Sequence, residues 1–322
     1  MIEATKKTLQ SMTDIHLLDM KEMEDNMVTI LEFYGLMATV AFFANPDMFA
    51  FLTCRIVQLT LKHGICKHSI VGFVQYAALL CGNKTTKDIE DASRIGKLAL
   101  SCLKKRFYSA EQLPKIYFAY YGLVAIHNEP LQSCSDMIQQ GFGAGMSSGE
   151  ISMALLNSIH HVNTLLIAGE KLPALLEKAD YYLDLADRYK NELVKSHLLI
   201  FRDTISTLID KGESNSSKSK INANENACKQ ASSSEAMYFH RAIQAYWLGY
   251  NERWHHYVLK VFEIDSTTAL LSNIVLTFIQ GLNVFQVLKR QNTVKLRLIP
   301  DKAIAALKAA ASHSQWNFRD KV

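Results

Sequence analysis

The stretch that decides the fold is SGEISMALLNSIHHVNTLLIA, residues 148–168. Its apolar side chains recur every three or four positions: Ile151, Ala154, Leu155, Ile159, Val162, Leu165 and Leu166. This spacing places them on one face of an α-helix, because a helix completes a turn every 3.6 residues. Residues 88–106 and 172–189 repeat the same period, and no run of the chain clearly alternates with period two. The pattern predicts an all-α protein.

The breaks between these helices are regularly spaced. They fall at Asn45-Pro46-Asp47, His63-Gly64, Cys81-Gly82-Asn83, Phe107–Ser109, Asn128–Pro130, Ser147–Gly149, Gly169–Lys171 and Lys190-Asn191. Successive breaks lie roughly 20 residues apart, so a helix pair occupies about 40 residues, a period typical of solenoids. Gly72, Gly96 and Gly122 lie inside the predicted helices, where small residues let neighbours approach to about 8–10 Å. We expect an α-solenoid of antiparallel helix hairpins, with a non-repetitive helical domain as the alternative.

Composition divides the chain into five segments. Residues 1–27 form a charged helical extension, 28–210 carry the predicted repeats, and 235–290 hold further helical hairpins. Residues 211–234 contain seven Ser and four Asn. Such a segment cannot bury enough apolar surface to offset the cost of ordering the chain, so we expect a disordered insertion. Residues 291–322 are predicted to form a C-terminal helix and tail.

Length, charge and cysteine usage exclude several classes of protein. A chain of 322 residues, 49% of them hydrophobic, can build a substantial core, which excludes a globally disordered protein. Thirty-five basic and 31 acidic residues give a net charge of +4, too small to indicate a nucleic-acid partner. The six cysteines include no CxxC pair, so the sequence supports neither a zinc ribbon nor a thioredoxin-like site. We expect buried, reduced thiols.

The apolar stretches do not predict a membrane protein. The N-terminus lacks the apolar region of a signal peptide. Residues 33–44 are too short to span a bilayer, which takes about 20 apolar residues. Residues 268–288 are long enough, but polar side chains recur every three to four positions along them. We therefore expect a cytoplasmic protein without a membrane partner.

The motifs of catalysis and metal binding are absent or incomplete. Gly82–Thr86 lacks the first glycine of a P-loop, and Gly141–Gly145 is not surrounded by the βαβ unit of a dinucleotide site. The pairs His160-His161 and His255-His256 are adjacent, so their side chains point about 100° apart on a helix and cannot jointly bind one metal. The sequence predicts no catalytic, cofactor-binding or metal-binding residue.

Two aromatic clusters could be core or binding surface. One is Tyr117, Phe118, Tyr120 and Tyr121; the other is Tyr246, Trp247, Tyr250, Trp254 and Tyr257. Large rings fill the space between stacked helices, but aromatic anchors also line peptide grooves. The candidate partner-binding residues in such a groove are Tyr121, His127, Tyr250 and Arg253. If the chain were instead a helical enzyme, its pocket would lie among Tyr117, Tyr121, His127 and His160.

The residues also resemble a known family. The segments GFVQYAALLCG (72–82) and DIEDASRIGKLAL (88–100) look like a helix pair from the tetratricopeptide-like region of large multidomain signalling proteins. The resemblance continues through 129–131, 141–154 and 168–172, and covers roughly 28–290 apart from the insertion. In that family the region follows an AAA-type (STAND-class) ATPase domain, often preceded by a serine/threonine-kinase-like domain. GAF and histidine-kinase modules frequently follow it.

The matching positions are mostly packing glycines, alanines and leucines, so no catalytic residue is carried over. The resemblance implies a TPR-like scaffold or regulatory region in a signal-transduction assembly, with ATPase or kinase domains as protein partners and no nucleic acid. Two alternatives stay open: a helical enzyme with an unrecognised pocket, and a fragment of a larger ATPase or kinase without separate activity.

Overall fold

The chain folds into helices throughout the part that the structure describes. The computed structural model describes residues 1–82, 86–210, 231–262, 275, 277–279, 281–282 and 294–319. Across these ranges no strand occurs, and the only bridge is an isolated one between Glu22 and Ile65. The predicted all-α class is confirmed.

The helices follow the expected hairpin pattern. In chain order they are α1 (Ile2–Gln10), α2 (Asp14–Leu18), α3 (Asp25–Ala44), α4 (Pro46–His63), α5 (Lys67–Gly82), α6 (Thr86–Lys105), α7 (Leu113–Leu123), a 3₁₀ turn (Ala125–His127), α8 (Leu131–Ser148), α9 (Ile151–Ala168), α10 (Leu172–Arg188), α11 (Glu192–Ile209), α12 (Ala231–Trp247), α13 (Asn251–Phe262), α14 (Val294–His313) and α15 (Gln315–Phe318). Residues 211–230 of the predicted insertion lie outside the described residues. Helix α12 already includes 231–234, which we had assigned to the insertion.

Local chemistry explains where the helices begin and end. The Met48 N–H donates to Oδ1 of Asn45 at 3.0 Å, and Pro46 occupies the first turn of α4, where no amide donor is needed. Gly149 and Gly169 end α8 and α9 in the left-handed conformation, with φ of 85° and 83°. These residues are among the predicted breaks, so turn chemistry sets the hairpin boundaries.

The helices pack in two layers. Helices α3, α5, α7, α9 and α11 each contact the next member of that series, and α11 contacts α12. Helices α4, α6, α8 and α10 pack on the preceding helix as its hairpin partner, and α13 packs in the same way on α12. This arrangement, in which each helix packs against its near neighbours in the chain, is compatible with the predicted solenoid.

Close approaches between helices need glycine. A Cβ at Gly72 would lie 2.3 Å from Cγ2 of Ile56, and a Cβ at Gly96 would lie 2.4 Å from Cε2 of Tyr120. Real Cβ atoms do not approach so closely, so Ile56 of α4 can pack on α5, and the Tyr120 ring of α7 on α6, only because both positions lack a side chain. The expectation that small residues mark helix contacts is confirmed at these two sites.

Both terminal segments pack on the array. At the N-terminus, Nζ of Lys6 in α1 lies 2.5 Å from the Asp88 carboxylate of α6. At the C-terminus, Phe318 is fully buried in the main core, although it lies in the last described helix. Oδ1 of Asn317 accepts the Leu131 N–H at 3.2 Å, and its amide donates to the Glu129 carbonyl at 2.7 Å. Asn317 thereby caps α8, which has no capping side chain of its own.

Candidate functional site

A groove crosses the layer formed by α3, α5, α7, α9 and α11. It has a volume of about 540 Å³, and α3 forms one wall. The opposite side comes from the N-terminal ends of α5, α9 and α11 and from the residues that lead into α7. Successive hairpins run in the same sense, so the beginnings of these helices meet at one edge of the array. The groove exists because α3 lies beside that edge.

The α3 wall is apolar and accessible. Leu36 and Phe43 line the groove with 58% and 47% of their surfaces exposed. Met153 and Leu156 of α9 line it from the other side and are buried. Exposed apolar side chains that face a concave surface are typical of binding sites, because burying them against a ligand removes them from water.

Gly35 lies on the α3 side of the groove, and no packing contact among the described residues requires a glycine there. A Cβ added there would meet no atom within 4 Å, whereas Gly72 and Gly96 face direct clashes. Glycine inside a helix costs about 1 kcal/mol relative to alanine. No contact inside the described chain requires that cost. The missing side chain does leave room for a ligand to approach the α3 backbone.

The rim of the groove carries mixed charge and one buried polar atom. Nζ of Lys115 lies 3.3 Å from the Glu150 carboxylate, which joins the start of α7 to the start of α9. His68 in α5 is buried, and burial lowers its pKa below the usual value. Its Nε2 has no hydrogen-bond partner and lies 3.9 Å from Glu32, too far for a hydrogen bond. A bound ligand could supply the missing partner.

The first pair of sequence-predicted site residues lies within or beside the packed core. Tyr121 is half-buried and stacks edge-to-face on Tyr117 at 5.2 Å between ring centroids. Burial raises the pKa of both phenols. His127 is buried in the 3₁₀ turn that follows α7. Neither Tyr121 nor His127 lines the groove.

The second pair lies elsewhere on the array. The Arg253 guanidinium lies over the Tyr250 ring at 5.5 Å, and both residues are exposed on the α12–α13 hairpin. This hairpin is separated from α7 by α9 and α11 along the series of contacting helices. The structure therefore brings Tyr250 and Arg253 into contact, but it does not gather the four predicted residues at one site.

His160, considered for an enzyme pocket, packs between helices. Its ring stacks edge-to-face on Phe118 at 4.7 Å, and it lies beside Gly122 of α7. Burial lowers its pKa to about 4. Across the described residues, no group of three or more His, Cys, Asp or Glu side chains is arranged to hold a metal ion.

The cysteines of the described chain are free and buried: Cys54, Cys66, Cys81, Cys102 and Cys134. Burial raises the pKa of Cys81 and that of Cys134 to about 12, so these two thiols are protonated at neutral pH. The prediction of buried, reduced thiols is confirmed for these five, and Cys228 lies outside the described residues.

Sequence analysis missed the groove, although α3 carried a signal. The core uses only Leu31, Ala38 and Ala41 of this helix as fully buried residues. A helix that buries one stripe needs apolar side chains only on that face, but α3 also carries them on its other faces. These additional apolar side chains indicate a second contact surface.

Among the described residues, two helices are long and apolar enough to cross a membrane by length and composition, α3 and α9. The stretch 33–44, which we considered too short, belongs to a helix of 20 residues, so the argument from length was wrong. Half of the apolar window of α9 is buried in the array, but only 17% of that of α3. Of these two helices, α3 is therefore the one whose apolar surface the fold leaves more open.

The chain matches no protein-family model, and no curated protein is significantly similar to it. The relation to multidomain ATPase proteins therefore remains a prediction based on the residues quoted above.

Proposed function

We propose that this chain is a non-catalytic, TPR-like scaffold that binds an α-helix of a partner protein in the groove beside α3. The observation that carries the proposal is Gly35, a helix-interior glycine that faces the groove and that no contact in the described chain explains. Exposed Leu36 and Phe43 flank it and supply apolar surface for a partner.

The shape of the α3 wall favours a helix over an extended peptide. The residues that α3 turns toward the groove are Glu32, Gly35, Leu36, Thr39, Val40 and Phe43, which follow a helical period. Small side chains at Gly35 and Thr39, one turn apart, let a second helix approach to about 8 Å. An extended peptide gains its main-chain hydrogen bonds from the edge of a sheet, and this groove is built from helices.

The contacts of the other candidate residues support a scaffold rather than an enzyme. Tyr117, Tyr121 and His160 pack against neighbouring rings, which leaves them poorly placed to meet a substrate. The resemblance to multidomain signalling proteins extends the proposal: the partner helix belongs to an ATPase or kinase module, and the chain acts in the cytoplasm. Nucleic acid is not part of the proposal, since the net charge is only +4.

A matched pair of glycine variants tests the proposal. Gly35→Leu fills the groove beside α3. Gly143→Leu adds the same side chain in α8, at a position that does not line the groove and where a Cβ also meets no atom within 4 Å. The immobilised chain is incubated with ATPase and kinase modules from the same genome. We expect the wild type and Gly143→Leu to retain a module, and Gly35→Leu to lose at least tenfold in affinity. Retention no greater than on an unrelated helical protein, or equal binding by both variants, would contradict the proposal.

A further inference from the structure

Helix α3 presents a second apolar stripe on the side that faces away from the core. Ile30, Phe33, Met37 and Val40 are exposed for 43%, 63%, 40% and 69% of their surfaces. Their spacing of three, four and three residues is that of a coiled-coil seam. We call these four residues the outward stripe. Val40 also lines the groove, so the two surfaces share this residue. At 100° per residue, the centre of the outward stripe lies about 80° from groove-lining Leu36 and farther from Thr39 and Phe43.

The outward stripe lies at the end of the helical array. The main contacts of α3 are with α4, its hairpin partner, and with α5, the next helix of its layer. The preceding helices α1 and α2 pack instead on α4 and α6. A stacked array needs its terminal apolar face covered, because each hairpin buries its apolar surface on its neighbours. No helix of the described chain covers this face of α3.

We propose that a second copy of this chain covers it, through antiparallel packing of two α3 helices about a two-fold axis. A spacing of three, four and three reads the same in both directions. An antiparallel copy therefore sets Ile30 opposite Val40 of the second copy and Phe33 opposite Met37 of the second copy. Each contact occurs twice, as an isologous interface requires, and the dimer closes without leaving another copy of the outward stripe exposed.

The available area fits a specific but weak dimer. A fully exposed large apolar side chain offers about 200 Å². With the exposed fractions above, the outward stripe supplies about 430 Å² per copy, or about 860 Å² in total. That total is near the lower limit for a specific interface and above most crystal contacts. Dissociation in the micromolar range is the expected consequence.

Charge favours a second copy over a membrane surface. No residue of the outward stripe is charged, so two stripes can meet without burying an unpaired ion. The charged residues of α3 itself are Asp25 and Glu32, both acidic. Helices that lie on anionic bilayers carry Lys and Arg on their polar face, which α3 lacks.

The mass of the full chain in solution tests the dimer. Sedimentation equilibrium from about 1 to 100 µM should show the mass rising from 36.3 kDa toward twice that value. Phe33→Glu should stay monomeric at all concentrations, with an unchanged helical circular dichroism spectrum because its side chain is largely exposed. Leu259→Glu is the matched control, since Leu259 is 48% exposed on α13, and it should dimerise like the wild type.

Cysteine cross-linking tests the antiparallel register independently. Asn26 and Ala44 are exposed, continue the stripe at its two ends, and face each other in the proposed pairing. Asn26→Cys mixed with Ala44→Cys should form a disulfide-linked pair at least tenfold faster than either variant alone. Faster linkage within Asn26→Cys alone would indicate parallel packing and overturn the geometry.

Three further results would overturn the proposal: a wild type that stays at 36.3 kDa at 100 µM, a Phe33→Glu variant that dimerises normally, or co-sedimentation of the monomer with phosphatidylcholine–phosphatidylserine vesicles that Phe33→Glu abolishes. Gly35→Leu should leave the dimer intact, so loss of the groove function and loss of the dimer are separately measurable.

Discussion

Acid should destabilise this protein through a histidine that folding holds neutral. His161 is 2% exposed between α9 and α10, and its Nδ1 lies 2.7 Å from the Tyr182 hydroxyl. Burial, and secondarily the positive charge of Lys178, lowers its pKa to about 4 from the 6.5 of a free histidine. The unfolded chain therefore binds a proton in a pH range where the folded chain does not.

The sign and size of the effect follow from that difference in pKa. Well above pH 6.5, the titration of His161 does not affect the free energy of unfolding. Its contribution lowers that free energy as the pH drops from 6.5 to 4, and it causes no further decrease below pH 4. A shift of 2.5 pH units corresponds to about 3 kcal/mol in full, and about 2 kcal/mol of it is already lost at pH 5. Since small domains are stable by only about 5–15 kcal/mol, such a loss is readily measured.

Urea denaturation at pH 7.5, 6.0 and 5.0 measures the effect. His161→Gln keeps a group that can hydrogen-bond to Tyr182 but cannot be protonated in this range. We expect its loss of unfolding free energy between pH 7.5 and 5.0 to be about 2 kcal/mol smaller than that of the wild type. His16→Gln, in exposed α2, controls for the substitution itself. Equal pH dependence in His161→Gln and the wild type would refute the reasoning.

Three further predictions concern packing, capping and a partly buried ion pair, each measured by urea denaturation. Gly96→Ala should destabilise the chain by about 1–3 kcal/mol, because its Cβ clashes with a packed ring, whereas Gly35→Ala should stabilise it by up to about 1 kcal/mol, because its Cβ meets nothing; the opposite order would contradict the assigned packing. Asn317→Ala should cost about 1 kcal/mol by removing the cap of α8, and no loss would show that solvent satisfies those backbone groups equally well. Arg241→Ala should cost about 1–3 kcal/mol because it leaves the partly buried Asp203 carboxylate without its partner, and the double variant Arg241→Met with Asp203→Leu should recover most of that loss. Equal stability of the single and double variants would argue against that coupling.

Local pattern predicted the fold class and many of the helix ends. The helical period of residues 151–166 predicted α9. Asn45, Gly149 and Gly169 predicted hairpin boundaries because caps and turns depend on the residue types next to the helix end. The groove was harder to predict, because α3 is apolar on several faces and sequence alone does not say which face the array covers. Burial showed that the core takes one of them.

Contacts distant in the chain could not be predicted from periodicity. Tyr121 and Arg253 were chosen because aromatic and charged residues cluster around them, but clustering in sequence does not distinguish ring packing from a binding surface. The hydrogen bonds that join Asn317 to Glu129 and Leu131 span more than 180 residues, and no local sequence pattern near these three residues predicts them.

The cap that Asn317 places on α8 also affects how the chain folds. In arrays of hairpins, folding usually spreads from one repeat to its neighbour, so each hairpin can fold as soon as the next one has been synthesised. Here the central hairpin receives its final backbone partners from a helix more than 180 residues later in the chain, and such remote contacts slow folding. Ribosome-bound chains that lack this helix should be less stable around α8, and therefore more readily cleaved there by proteases, until Asn317 can form its hydrogen bonds.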